Sequence, residues 1–377
     1  MRKTVVLILM CVFFSLIAFS NANAEEKQWW PLEIFTVTDA PQNVGIGEKM
    51  ESGVVSYEQY TPPMKAKKPF RIGVLFPHLK DPYWLGPAYG IAEEAKRLGV
   101  SMTLLSAGGY ENNIKQIDQL EDLAVKGVDG VIIVPLSYTA QDNAIAKLHQ
   151  QGIPVVELLN DCRTDELVTK VGTSFVQMGY AAGKLIIEDA QKNGLKKVNT
   201  AYFPGPAGAA WAEYSWKGFK QAIDESPIPV ENLAVKWGEM AKELQIKMIE
   251  DVLMTFGDKV HYIAGDALAA GVAIIPIREK GFKGKIKIVS VDLSDYVIPW
   301  IKTGDILAGS STQGVYQARL AMNILVDVLN GDKNIDEIPD VMGANVQILT
   351  QNNFDEFPMD AIVAPKGFSP VFKVDVD

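Results

Sequence analysis

From Phe70 onward the hydrophobic pattern alternates between two periods. Short unbroken apolar runs, closed by Pro or Gly, are followed by stretches in which apolar residues recur three and four apart. The first run, Phe70–Leu75, carries one charge, Arg71, and predicts a strand buried on both faces. Leu85, Ala88, Tyr89, Ala92, Ala95 and Leu98 then share one helical face. Strands over 101–105, 131–134 and 153–159 and helices over 112–126 and 140–151 continue the alternation. Ile114, Ile117, Leu120, Ala124 and Val125 are expected on the inner side of the 112–126 helix. This βαβαβα order predicts a parallel sheet with right-handed crossovers.

A second series repeats the plan. Helices are predicted over 175–193, 211–222, 241–256, 266–279 and 314–330, with strands at 198–203, 235–237, 262–264, 286–291 and 306–308. The expected fold class is therefore α/β, with two similar halves, each a doubly wound parallel sheet. The tail, punctuated by Pro339, Pro358, Pro365 and Pro370, reads as loop with short strands.

The chain ahead of residue 67 is different. Residues 1–24 read as a signal peptide: basic Arg2 and Lys3, apolar Val5–Phe19, and Ala22-Asn23-Ala24 as the cleavage site. The apolar core is too short to read as a membrane span. Cys11 follows the bulky Met10, which argues against a lipoprotein box. Export to a periplasm is expected, without membrane insertion after cleavage. Residues 25–66, rich in Gly and Pro and containing Trp29-Trp30-Pro31, read as an irregular extended arm lying on the folded body.

Two tandem α/β halves leave a cleft between their strand ends, the usual place for a ligand, and close on it about a hinge. The polar and aromatic residues expected there are Asp81, Tyr83, Trp84, Ser137, Tyr138, Asn160, Asp161, Trp211, Trp237, Asp266, Asp292 and Thr312. Aromatics and carboxylates dominate, and none is Arg or Lys. That balance disfavours phosphates and carboxylates as ligands. It fits a sugar stacked on ring faces, or a small cation or zwitterion gaining roughly 0.5–2 kcal/mol per aromatic face.

Charge and motifs narrow the function further. Loss of the leader removes two of 36 basic residues and none of 46 acidic ones, taking the formal net charge from −10 to −12. Such a chain has no electrostatic attraction to nucleic acid or anionic lipid. Cys162 is the one cysteine beyond the leader, so no intramolecular disulfide forms. The sequence has no His-Glu-x-x-His, Cys-x-x-Cys or Gly-x-Ser-x-Gly, and Gly205-Pro206-Ala207-Gly208 lacks the lysine of a phosphate loop. No cofactor or metal is expected. Asp266 with Asp292 could be drawn as a glycosidase pair, but two hydrogen-bond acceptors are simpler, and the chain is expected not to be an enzyme. His149 is expected on a helix surface and His78 at the cleft edge.

The region from about 65 to 377 resembles the type I periplasmic binding proteins of the ribose-binding class. The resemblance rests on Asp81-Pro82-Tyr83-Trp84, Gly127–Ile133, Gly152–Val156 and Val289-Ser290-Val291-Asp292. Leu79–Leu85, Ala107-Gly108-Gly109-Tyr110, Val176–Tyr180 and Gly367–Val371 are similar to a branch of that class that senses trimethylamine N-oxide and works with a membrane sensor histidine kinase. The resemblance implies a hinge between lobes 67–160 plus 312–343 and 161–311 plus 344–377. Crossings would fall at Asn160-Asp161, at Thr312 and near 344–346. It implies stacking of Tyr83 and Trp84 on the ligand beside Asp81, and a ligand contact from Trp211. Trp237, Asp266 and Asp292 would end contact-bearing strands. A sugar- or autoinducer-binding component of an import system is the alternative it leaves.

Overall fold

The computed structural model describes residues 32–376. The expected leader and Trp29-Trp30 lie outside the described residues. In chain order the first lobe contains β1 (Leu32–Thr38), α1 (Ile46–Ser52), β2 (Val54–Tyr60), β3 (Arg71–Phe76), α2 (Leu85–Leu98), β4 (Ser101–Ser106), α3 (Asn113–Val125), β5 (Gly130–Ile133), α4 (Asp142–Gln150), β6 (Val155–Leu158) and β7 (Thr169–Val171). The second lobe follows with α5 (Phe175–Lys192), β8 (Val198–Gly205), α6 (Ala210–Asp224), β9 (Val230–Trp237), α7 (Lys242–Phe256), β10 (Tyr262–Gly265), α8 (Ala267–Glu279), β11 (Lys287–Ser290), α9 (Ile298–Thr303) and β12 (Ala308–Ser311). The chain then alternates between lobes: α10 (Gly314–Asn330) and β13 (Val341–Gly343) in the first, β14 (Gln347–Thr350) in the second, β15 (Lys373–Val374) back in the first.

The first-lobe sheet runs β15-β4-β3-β5-β6-β7-β13-β1-β2, and the second-lobe sheet β14-β12-β11-β10-β8-β9. Both are parallel through their centres, with antiparallel strands added at the edges. In each sheet the strand order reverses about one strand, β3 in the first lobe and β8 in the second. These are the switch points beyond which α/β sheets place ligands. The central strands are apolar on both faces because helices cover both, as in Ile72, Val74, Leu75 and Phe76 of β3, all 1% exposed or less.

Several expectations are corrected. The stretch read as an irregular arm forms β1 and β2, paired along their length and joined to β13. Leu32–Thr38 and Val54–Tyr60 are rich in β-branched and aromatic residues; between them lies α1, bounded by Gly45 and Gly53. On α3 the buried residues are Gln116, Leu120 and Leu123, while Ile114 and Val125 are 76% and 88% exposed. At about 100° per residue these two lie roughly 120–140° around the helix from Leu120, outside the packed stripe. The first crossing comes later than Asn160-Asp161: β7 still belongs to the first sheet, so the chain leaves that lobe at 172–174. The tail also returns, since Lys373–Val374 pairs with Met102 and Thr103 of β4. Four segments therefore connect the lobes. Among the described residues, no helix is long and apolar enough to cross a membrane.

Candidate functional site

A cavity of about 40 Å³ lies between the lobes, lined from both switch points. From the first lobe come His78, Asp81, Tyr83, Trp84, Tyr110 and Asn160. From the second come Phe175, Trp211, Ser215, Met240, Asp266, Asp292 and the first turn of α8. No lysine or arginine is among the lining residues.

The first-lobe wall is built on the turn after β3. Asp81 caps the 3-10 turn Pro82–Trp84, its Oδ1 accepting from the Tyr83 amide at 2.9 Å. The turn sets Tyr83 edge-on to Trp84, ring centroids 4.9 Å apart at 89°. Trp84, 3% exposed, packs in turn on Phe76 at 5.5 Å. Tyr83 Oη shares a hydrogen with Thr312 Oγ1 at 2.8 Å. Tyr110, in the loop that follows β4, accepts from Asn160 Nδ2 at 2.9 Å. Its ring lies edge-on to His78 at 5.7 Å and 5.9 Å from Trp211 across the cleft. Both phenols are thus fixed at the hydroxyl, and burial raises their pKa values against the lowering effect of those hydrogen bonds.

The second-lobe wall depends on Gly205, which ends β8 with φ +110°; a Cβ there would sit 2.4 Å from the Trp211 ring. Glycine therefore lets Trp211 fold over the turn into the cleft. Below it stand two carboxyl groups at the amino end of α8. Asp266 Oδ1 accepts from the Leu268 and Ala269 amides at 2.8 and 3.0 Å. Asp292 Oδ1 accepts from the Ala267 amide at 2.7 Å. Asp266 Oδ2 is buried with no protein partner.

Electrostatics follow from this burial. Removal from water raises the Asp81 carboxyl to about 6 against its amide bond and Asp292 to about 7. Burial, then the neighbouring Asp292, pushes Asp266 well above the usual range. Burial, reinforced by Lys80, lowers His78 to about 4, so the imidazole is neutral. The cavity thus combines an anion at Asp81 with at least one retained proton at Asp266 and Asp292 near pH 7. It can hold a cationic centre against aromatic faces and carboxylates, and also donate to an acceptor oxygen.

Of the ten residues expected at the ligand, the structure brings seven to this cavity: Asp81, Tyr83, Trp84, Asn160, Trp211, Asp266 and Asp292. Three stand elsewhere. Thr312 is behind Tyr83. Tyr138 packs edge-on against Tyr214 of α6 at 5.8 Å, outside the cavity. Trp237 packs behind Trp211 with Tyr110 and Leu136, because β9 is the sheet edge beyond the switch-point strand. The cavity-lining residues that the sequence does not single out as ligand contacts are Tyr110, Phe175, Ser215, Met240, Ala267, Leu268 and Val291. The end of β4 was a legible signal for Tyr110. Ser215, one turn beyond Trp211 on α6, follows from four-residue helical spacing. His149 is on the surface of α4 as expected, 54% exposed at its side chain. Among the described residues no cluster could hold a metal ion.

A model of the periplasmic binding protein domain matches residues 72–333. The periplasmic protein TorT of Escherichia coli K12 is 29% identical over 370 residues, covering 98% of this chain and 96% of TorT. Crystal structures of a TorS sensor domain–TorT complex, without ligand and with trimethylamine N-oxide (TMAO), superpose with a TM-score of 0.70 at 28% identity, covering 80% of this chain and 99% of theirs. An ABC transporter solute binding protein from Bradyrhizobium sp. BTAi1 with bound bis-tris gives a TM-score of 0.75 at 36% identity, covering 92% of this chain and 99% of its own. The matched domain, the paired parallel-sheet lobes and the interlobe cavity identify this chain as a member of the periplasmic binding protein family, with the type I fold.

Proposed function

We propose that this protein is a non-enzymatic periplasmic sensor, exported by its leader, that binds TMAO or a related small methylated amine and signals to the periplasmic domain of a membrane sensor histidine kinase. One observation carries the ligand class: an aromatic-walled cavity with three carboxyl groups, no lining Lys or Arg, and one carboxyl oxygen without a partner. Tyr83, Trp84, Tyr110 and Trp211 form the walls against the methylated nitrogen. Asp81 supplies the compensating charge. Asp266, protonated, donates from Oδ2 to the oxide oxygen. Size supports a small ligand. One water needs roughly 10–15 Å³ of such space and fills roughly 30 Å³ as liquid, so the cavity holds about three waters, or roughly 90 Å³ of ligand. The likeness to TorT supports the kinase as partner.

The bis-tris of the Bradyrhizobium protein, a hydroxylated tertiary amine, favours a second reading: a transport component for a larger hydroxylated ligand, a sugar included, held in a more open cleft. Calorimetric titration of residues 25–377 with TMAO, trimethylamine and ribose separates the two. Saturable binding of TMAO supports the sensor. Binding of ribose alone transfers the protein to the transport reading, and binding of none removes TMAO as the ligand.

A further inference from the structure

The chain ahead of the matched domain does more than extend a sheet. Helix α1 is fixed to the first lobe. The Ile46 amide donates to Asp161 Oδ2 at 2.7 Å, and the 1%-exposed Lys49 Nζ pairs with Asp165 at 3.1 Å and with the Pro41 carbonyl at 2.9 Å. Yet its Glu48 reaches the second lobe: Tyr214 Oη of α6 donates to Glu48 Oε2 at 2.9 Å. Lys217 Nζ stands 3.9 Å from Glu48 Oε1. Tyr138, from the first lobe, packs edge-on to the same Tyr214 ring. The fit is close, since a Cβ at Gly45 would come within 2.7 Å of Tyr214 Oη and 2.6 Å of Asp161 Oδ2.

We infer that Glu48 and Tyr214 form an interlobe clasp that sets ligand affinity from outside the cavity. Tyr214 lies three residues beyond Trp211, on the same side of α6. The movement that brings Trp211 over the ligand therefore brings Tyr214 to α1. Neither clasp residue lines the cavity, so the contact acts on closure alone. A contact present only in the closed form shifts the open–closed equilibrium by its own free energy. Where the empty protein is mostly open, apparent affinity follows by the same factor. A hydrogen bond of ordinary net strength corresponds to about three- to tenfold.

The inference rests on the proposed ligand for one arm of its test and is free of it in the other. Affinity for TMAO is measured by calorimetry in the wild type, Tyr214→Phe, Glu48→Ala and the double variant of residues 25–377. Tyr214→Phe keeps the ring and its packing on Tyr138, and melting curves check the fold. The expected result is a three- to tenfold rise in Kd for Tyr214→Phe that vanishes in the Glu48→Ala background. Equal Kd values, or losses that multiply in the double variant, overturn the clasp. If TMAO binds none of the proteins, the ligand proposal fails by itself, and interlobe distances in the ligand-free protein decide. Spin labels at Glu121→Cys and Lys247→Cys, both exposed, report them, while Cys162 is buried. A smaller closed fraction in Tyr214→Phe supports the clasp, and an unchanged distribution overturns it.

Discussion

Asp266→Asn tests the site most directly, because the two carboxyl oxygens have separate tasks. Oδ1 accepts from two amides at the start of α8, and an Asn side chain keeps that acceptor, as both residues serve well as caps. Oδ2, buried and unpartnered, becomes an amide NH₂, a permanent donor like the protonated acid. If Asp266 binds the oxide oxygen as a neutral donor, Asn retains TMAO affinity to within about threefold at pH 7. A trimethylated cation such as choline, whose charge is met by Asp81 in this reading, loses no charged partner in Asp266→Asn and keeps its affinity at pH 7 as well. Asp266→Ala, by contrast, removes the cap, costing about 0.5–2 kcal/mol of stability, together with the donor. The pH profile adds a second reading. Burial holds the Asp266 proton, so wild-type TMAO affinity falls once the pH is high enough to remove it; that of Asp266→Asn lacks this fall. Calorimetric titrations from pH 5 to 9 supply both results. Loss of TMAO binding by more than about a hundredfold in a folded Asp266→Asn protein would refute the donor role, and so would an unchanged alkaline fall.

Three other outcomes follow from the packing and charge. Asp81 and Asp292 titrate near 6 and 7 in the folded protein, against an ordinary value of 3.8. The folded chain therefore binds more protons between about pH 4 and 7, and the empty protein loses stability as pH rises through that window. The loss is about 3 kcal/mol for Asp81 and about 4 kcal/mol for Asp292 when fully ionised. Denaturant melts of Asp81→Asn should show a visibly flatter profile, and an unchanged slope would contradict the burial argument. Trp84→Ala should cost about 3–5 kcal/mol of stability, since Trp84 lies in the first-lobe core; Trp84→Phe, compared by melting and titration, isolates its contribution to binding. Gly179→Ala and Gly218→Ala should each prevent stable folding of the second lobe. Their Cβ atoms would come 1.9 Å from the Ser215 and Val176 carbonyl oxygens where α5 and α6 touch backbone to backbone. Soluble expression with near-wild-type melting would argue against that helix contact.

The legible parts of this molecule are those in which neighbouring residues in sequence determine the structure. The turn after β3 announces itself because Phe70–Leu75 is apolar without alternation and Asp81-Pro82 can only cap and start a turn. Asp266 and Asp292 are legible as strand ends for the same local reason. Ile114 and Val125 on α3 aside, the differences involve pairings that no local pattern encodes. Leu32–Thr38 looks irregular until its partner, β13, arrives some three hundred residues later. Lys373–Val374 returns to the first lobe because β4 offers it an open edge. Tyr138 has the strand-end position of a ligand residue, but its ring is taken by Tyr214 from the other lobe. Trp237 ends a strand too, on the sheet edge, where the strand end lies behind the cavity wall. Strand-end position thus identifies candidates; the order of strands across each sheet selects among them. Here that order favours β3 and β8, whose turns carry Tyr83, Trp84 and Trp211 to opposite walls of one cavity. The same selection explains why Tyr138 and Tyr214 meet outside it: they belong to the rims that touch when those walls approach, so residues misplaced as ligand contacts are evidence for where the closed lobes hold each other.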